Sequence, residues 1–392
     1  MPPDNAATLL VPERPDSPAA PDSPAPPARR LRVADVTMFY GERSGGIRTY
    51  LEAKAEFAAR TGAFEHHLVV PGRPAGNAPQ TAERHRHEQP SVRLAASNGY
   101  RIPLGGAGLQ ATLRALAPDV VLLHDPYWTP RLASRAAHEL GAAVIAVHHS
   151  SAALHAAGLP GPQGVYRRAL RHWYRRAYVD VDAVMSVIDP GPDTARRCTV
   201  PLRLGLGPEF RPRPDAPARA EHVLYVGRLS REKGVRELLE AAAAAPTSWP
   251  LIVRGTGPAG DTLRERSRQL RLSGRISFEP YIQDRDELAR EYARARCVAL
   301  PGAYETFGLV ALEAAACGTA VVTAASTPSA SLLAAFAHTF QAGDPTDLLG
   351  AIERARTTTV DPASAADLAR QHSWDVALRA ELSDLERLRG RT

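Results

Sequence analysis

The sequence predicts an α/β protein built from two doubly wound, parallel-sheet domains. Three observations lead there. The chain has 392 residues, room for two or three domains at about 150 residues each. Short apolar runs alternate with helical periodicity along nearly all of it, the pattern of parallel strands joined by crossover helices. That alternation breaks once, at Pro208, Pro212, Pro214 and Pro217, and then restarts.

Taken in order, residues 1–30 hold nine prolines among Ala, Asp and Ser. They carry too little apolar surface to offset ordering entropy, so a disordered Pro/Ala-rich tail is expected. The first domain is expected over 31–207. Its strands are Leu31–Met38, Phe64–Val70, Val120–His124, Ala142–His148 and Asp182–Ile188. A helix over Ile47–Arg60 places Tyr50, Leu51, Lys54 and Phe57 at helical spacing. A linker spans 208–220. The second domain, 221–362, starts with strand His222–Val226 and helix Val235–Ala245. Strands Leu251–Arg254, Arg275–Glu279, Cys297–Leu300 and Thr319–Thr323 follow. The remainder, 363–392, is helical over Ala363–Arg389 and is expected to pack back across the junction.

Composition removes several classes. With 44% hydrophobic and 23% charged residues the chain is globular. Three widely spaced cysteines, Cys198, Cys297 and Cys317, argue against a disulfide framework or a structural zinc site and for a reducing compartment. The longest uncharged stretch, Ala314–Ala337, is interrupted by Gly318, Pro328 and six Ser/Thr residues, so it is not a membrane span. Asp4, Glu13 and Asp16 likewise interrupt any signal peptide. A cytoplasmic location is expected. The net charge of +6 comes from basic residues spread along the chain, with no nucleic-acid patch. Of 48 basic residues only Lys54 and Lys233 are lysine, which makes each worth examining.

Three segments carry candidate chemistry. Gly41-Glu42-Arg43-Ser44-Gly45-Gly46 follows the first strand and opens a helix. Its glycines permit close backbone approach and the helix N-terminus favours an anion, although a plain tight turn reads equally well. The spacing is not the dinucleotide fingerprint, which disfavours a nicotinamide-dependent dehydrogenase. Gly227-Arg228-Leu229-Ser230-Arg231-Glu232-Lys233-Gly234 lies at the carboxyl end of the second domain's first strand, where open α/β sheets bind ligands. There Arg228 and Lys233 suit two phosphates, with a solvated surface pair as the alternative. Third, Glu305-Thr306-Phe307-Gly308-Leu309 through Glu313 reads as a helix starting near Thr306. The N–H groups of Phe307, Gly308 and Leu309 would be its unpaired donors, flanked by two carboxylates able to accept sugar hydroxyls.

With these motifs the chain resembles the retaining GT-B glycosyltransferases of family 4 over Leu31–Arg389. The loop at 227–234 and the Glu-x7-Glu at 305–313 carry most of the resemblance; Gly45-Gly46 and Trp374 in His372-Ser373-Trp374 agree with it. The resemblance implies two Rossmann-like domains facing across a cleft, the C-terminal one binding a nucleotide-diphosphate sugar and the other the acceptor. It also implies that Arg228 and Lys233 hold the diphosphate, Glu313 the ribose and Glu305 the transferred sugar, with no metal or other cofactor. The expected reaction is transfer of a hexose from a UDP- or GDP-hexose, GDP-mannose among them, to a glycan, glycolipid or polyol hydroxyl. Alternatives are a GT-B epimerase, a glycosyl phosphorylase, or a catalytically silent GT-B partner subunit.

The histidines divide by position. His148-His149-Ser150 closes a first-domain strand. In similar enzymes a histidine here meets donor sugar or acceptor, and His149 is the choice. His124, Asp125 and Tyr127 close the neighbouring strand and are candidates, with His148 and Ser150, for an acceptor pocket; a structural role is the alternative. His66-His67 and His85-x-His87 have superficial metal spacing but no accompanying carboxylate or Cys cluster, and read as core or exposed histidines. Tyr166, Leu170, Trp173 and Ala177 form one side of a helix that also carries Arg167, Arg168, Arg171, Arg175 and Arg176. It either packs that side on the first domain or makes peripheral contact with the anionic inner face of a membrane.

Overall fold

The structure, a computed structural model, describes residues 29–41, 45–72, 85–93, 100–128, 130–149, 151–159, 161–187, 198–203, 205–213, 219–305 and 308–390. The expected tail lies almost wholly outside them.

The first sheet contains β1 (Arg32–Val36), β2 (Glu65–Gly72), β3 (Arg86–Arg93), β4 (Arg101–Pro103), β5 (Val120–Leu123), β6 (Ala143–His148), β7 (Ala183–Ser186) and β8 (Cys198–Pro201). Their order is β4-β3-β2-β1-β5-β6-β7-β8, parallel except for the β3–β4 pair. The helices α1 (Gly46–Thr61), α2 (Ala107–Leu116), α3 (Pro130–Glu139), α4 (Ala152–Ala157) and α5 (Gln163–Ala177) connect them. The second sheet, β9 (Val223–Val226), β10 (Leu251–Arg254), β11 (Ile276–Glu279), β12 (Cys297–Leu300), β13 (Ala320–Ala324) and β14 (Ala337–Phe340), has order β11-β10-β9-β12-β13-β14. All five of its pairings are parallel. Its helices are α6 (Val235–Ala244), α7 (Gly260–Gln269), α8 (Arg285–Arg294), α9 (Leu309–Ala316), α10 (Pro328–Leu332) and α11 (Pro345–Thr357).

Both sheets are Rossmann-like, and every predicted strand is present. Four more, β3, β4, β8 and β14, were not expected. β3 is Arg-His-Glu-Gln-Pro-Ser-Val-Arg and only Gln89 in it is buried, so no apolar alternation marked it. The strand is fixed instead by its register on β2, Leu68 opposite Arg86.

The final helical stretch is two helices, α12 (Pro362–Gln371) and α13 (Trp374–Arg389). Ser373 breaks them by capping α13, its hydroxyl accepting from the Val376 N–H. At the break Leu206 donates to the His372 carbonyl at 2.7 Å, and Trp374 donates back to Leu206 at 3.2 Å. A Cβ at Gly205 would lie 2.2 Å from the Trp374 ring, so only glycine fits there. Leu378, Leu385 and Leu388 of α13 then bury in the first sheet's core beside Tyr50, Leu51 and Phe57. Each contributes about 1.5–3 kcal/mol of burial. The last helix therefore belongs to the first domain.

Candidate active site

The carboxyl ends of the parallel strands face one cleft. On the second-domain side, β9 hands over to a loop that Gly255 and Gly257 support from below. Cβ atoms there would fall 1.9 Å from the Gly227 carbonyl oxygen and 2.3 Å from that of Leu229. The exposed Arg228 side chain extends from this loop into the cleft. Lys233 ends a single 3-10 turn, Arg231–Lys233, and its Nζ donates to Glu305 Oε2 at 2.7 Å. Burial pulls the ammonium down, but Glu305 outweighs it and raises the pKa, so Lys233 stays charged. The two residues assigned separately to diphosphate and sugar form one ion pair.

The anion-favouring helix begins at Leu309, later than expected, with Gly308 at φ 62° as its N-cap. A side chain at Gly308 would press on Ser329 at 3.0 Å. Thr306 and Phe307 lie outside the described residues. Glu313 accordingly sits just over one turn into α9 and is 3% exposed. Its Oε1 accepts from Arg285 Nη2 at 2.9 Å and its Oε2 from the Tyr292 hydroxyl at 3.0 Å. Burial nevertheless pushes its carboxyl above the ordinary range.

On the first-domain side, Gly46 opens α1 directly across from α9: a Cβ there would come 3.1 Å from Leu309 Cδ1. Gly45 precedes it as the helix cap. His148, His149, His124 and Phe39 line a cavity of about 220 Å³ whose far wall includes Arg228. His124 is buried behind His149; its Nδ1 shares a hydrogen bond with His149 Nε2 at 2.7 Å, and its Nε2 faces Asp35 Oδ1 at 2.6 Å. Burial first, then His124 and His148, drive the His149 pKa well below its usual value. Asp125 is an internal brace: it accepts the N–H groups of Met38, Tyr127 and Trp128 at 2.8–3.0 Å. Tyr127 is half-exposed and its hydroxyl shares a hydrogen bond with His155 at 3.1 Å. Ser150 lies outside the described residues.

Two sequence readings need correction. His67 and His85 do have a carboxylate companion: Glu65, His67 and His85 place ligand-type atoms within 4.8 Å of one another. The group lies at the amino end of β2, away from the cleft, and Arg32 already binds Glu65 at 2.9 Å. In α5 the buried residues are Tyr174 and Ala177, while Trp173 is 50% exposed and donates to the Pro126 carbonyl. Sequence reasoning also missed Asp35, Arg285 and the Gly255/Gly257 shelf. Asp35 carried a readable signal, a lone carboxylate inside the apolar run Val33–Val36.

A group 1 glycosyl transferase family model matches residues 208–369, and a glycosyltransferase family 4 model matches 44–197. A GDP-mannose-dependent alpha-(1-6)-phosphatidylinositol dimannoside mannosyltransferase of Mycobacterium tuberculosis is 31% identical over 317 residues, covering 74% of this chain and 79% of its own. Glycogen synthase of the same species is 28% identical, with 83% and 85% covered. Among solved structures, sucrose-phosphate synthase from Thermosynechococcus elongatus superposes with a TM-score of 0.67 at 22% identity, covering 91% and 98% of the two chains. Anabaena HepE in complex with UDP gives 0.68 at 15% identity, covering 91% and 100%. These two likenesses concern the fold.

Proposed function

We propose a specific reaction for this chain, which belongs to the family 4 glycosyltransferases of GT-B fold: transfer of a hexose from a nucleotide-diphosphate sugar to a hydroxyl acceptor, with retention of configuration and without a metal. The observation that supports it is the cavity that Arg228 shares with His148 and His149, with Lys233 on the same loop as Arg228 and paired to Glu305, and with Gly46 of α1 close against Leu309 at the start of α9. Two cations and a helix dipole stabilise a leaving diphosphate as charge develops on it, which is where preorganised donors act most strongly. In the proposed step the bond from the sugar C1 to the diphosphate oxygen breaks. The acceptor oxygen bonds to C1 on the same face, and its proton passes to a phosphate oxygen. Glu305 receives the hydroxyls of the transferred hexose, and Glu313 with Arg285 receives the ribose.

Because the mycobacterial relative is GDP-mannose-dependent, GDP-mannose is the first donor to test, beside UDP- and ADP-sugars. Slow donor hydrolysis without acceptor identifies the donor. No hydrolysis and no calorimetric binding of any nucleotide diphosphate would refute the reading and favour a silent scaffold. Its acceptor is a glycan, glycolipid or polyol. Val165 and Trp173 stand exposed beside Arg167, Arg168, Arg175 and Arg176 on α5, which suits an acceptor presented at an anionic lipid surface. Co-sedimentation with phosphatidylglycerol vesicles tests that surface.

A further inference from the structure

His149 is backed by a buried polar chain that runs from the cleft to the C-terminal helix. We propose that Asp35 and His124 are positioning residues that fix the ring and tautomer of His149, and that Lys54 and Glu381 hold Asp35 in place. The inference rests on the reading of His149 as a group that meets the hexose or the acceptor hydroxyl.

Asp35 is fully buried in the middle of the first sheet. Its Oδ1 faces His124 Nε2 at 2.6 Å; its Oδ2 faces His66 Nε2 at 2.7 Å and Lys54 Nζ at 3.1 Å. Burial would push this carboxyl up, yet Lys54 and the hydrogen bonds from His124 and His66 hold it well below the carboxylate range. An ionised carboxylate only accepts, so the nitrogen facing it, His124 Nε2, carries the hydrogen. In its neutral form His124 has its lone pair on Nδ1 and accepts from Nε2–H of His149. The second imidazole is thereby locked with its own lone pair on Nδ1, a hydrogen-bond acceptor suited to a sugar hydroxyl. The opposite tautomer at His124 would set a lone pair against Asp35. The two rings lie edge to edge and nearly coplanar, with centroids 5.0 Å apart and planes 16° apart, the arrangement that an in-plane N–H···N bond requires. The same logic makes Asp the orienter of a catalytic imidazole in other enzymes.

Lys54 completes the chain. It bridges Asp35 to Glu381 of α13, 2.8 Å from Glu381 Oε1, and Tyr50 donates to the same oxygen at 2.6 Å. Tyr50 and Lys54 are four apart on α1 and therefore share one face. A buried ion cluster gains little over apolar packing as a stabiliser, and this one ends on the side chain that opens to the cleft.

The test is a double-mutant cycle on donor hydrolysis or transfer, after thermal melts establish folding. His124→Phe keeps a flat ring without hydrogen bonds, and His124→Gln keeps a donor and an acceptor. His124→Phe should lower kcat by about 10- to 100-fold, the scale of a misplaced reacting group, with donor KM changed less than about threefold. His124→Gln should recover most of that loss. Adding His124→Phe to His149→Ala should cost nothing further, because the first acts only through the second. Normal kcat in His124→Phe, or losses that add, would overturn the relay. Normal kcat in His149→Ala would instead overturn the role given to His149 itself. A second readout needs no variant to fold: histidine-labelled wild-type protein reports tautomers by long-range proton–nitrogen correlations. Nε2–H at both rings is expected; Nδ1–H at His149 overturns the proposal.

Discussion

The Lys233–Glu305 ion pair gives a prediction that neither residue gives alone. In Glu305→Gln the carboxylate that holds Lys233 Nζ at 2.7 Å becomes a neutral amide. A nucleotide diphosphate binding to Lys233 would then no longer compete with it. Both side chains are about one-quarter exposed, 26% and 23%, so the pair is worth at most about 1 kcal/mol after solvent screening. Free nucleotide diphosphate should therefore bind with unchanged affinity or up to about fivefold more tightly. On the proposed assignment, turnover should fall by about 100-fold, because the sugar would lose a charged acceptor in the transition state. Lys233→Ala moves the other way: losing a charged hydrogen bond costs about 1.5–3 kcal/mol, or roughly 10- to 150-fold in affinity. The double variant should match Lys233→Ala. Calorimetry with GDP and UDP at fixed ionic strength measures the affinities, and donor hydrolysis measures turnover. Weakening of tenfold or more in Glu305→Gln would refute the division of labour, since Glu305 would then be serving the nucleotide rather than the sugar.

Arg228→Ala should lower turnover by about 100-fold or more in a protein that melts normally, because its exposed guanidinium lies in no ion pair among the described residues and is available to the diphosphate; near-normal turnover would remove the assignment. Activity should survive EDTA, and loss with EDTA that Mn²⁺ or Mg²⁺ restores would contradict metal-independent transfer. Folding stability should fall as pH drops from about 6.5 toward 4. His67 and His155 are held at about 4 by burial, and burial also holds His149 well below its usual value, so the unfolded chain binds more protons across that window. Each of the first two removes on the order of 3 kcal/mol by its lower limit, and denaturant titrations at a series of pH values follow it. Lys54→Met should lower the melting temperature sharply, since it removes the lysine that bridges two buried carboxylates at a cost of about 3–5 kcal/mol; an unchanged melt would show that the cluster is not ionised.

What the sequence revealed and what it hid separate along one physical line. The inner strands of both sheets were legible because Val120–Leu123 and Val223–Val226 are buried on both faces and read as continuous apolar runs, and Val33–Val36 departs from that pattern only at Asp35. The loop of Arg228 and Lys233 was legible because its chemistry is local: three cations and two glycines within eight residues that directly follow a strand. Pairings made by the fold were not. Glu305 and Glu313 look like equivalent carboxylates in the chain, yet one lands on Lys233 and the other on Arg285 and Tyr292, because α9 turns only the second into the core. β3 escaped for the same reason, since its hydrogen bonds to β2 make it a strand and its side chains do not.

Asp35, Lys54, His124 and Glu381 show how far this goes. Glu381 is 331 residues from Tyr50, and Asp35 is 89 from His124, so no spacing rule connects them. One compositional signal did point inward. In a chain that writes nearly every basic residue as arginine, a lysine within an apolar helical face marks a place where a compact ammonium fits and a planar guanidinium does not. Lys54 is 1% exposed between two carboxylates, and Lys233 is paired across the cleft wall with Glu305. Both lysines therefore sit where a single point charge must satisfy anionic oxygens in a confined space. On this argument Lys54→Arg should destabilise the protein although it conserves charge, because the larger fork has no room between Asp35 and Glu381; a melt equal to wild type would show that charge alone is what the site requires.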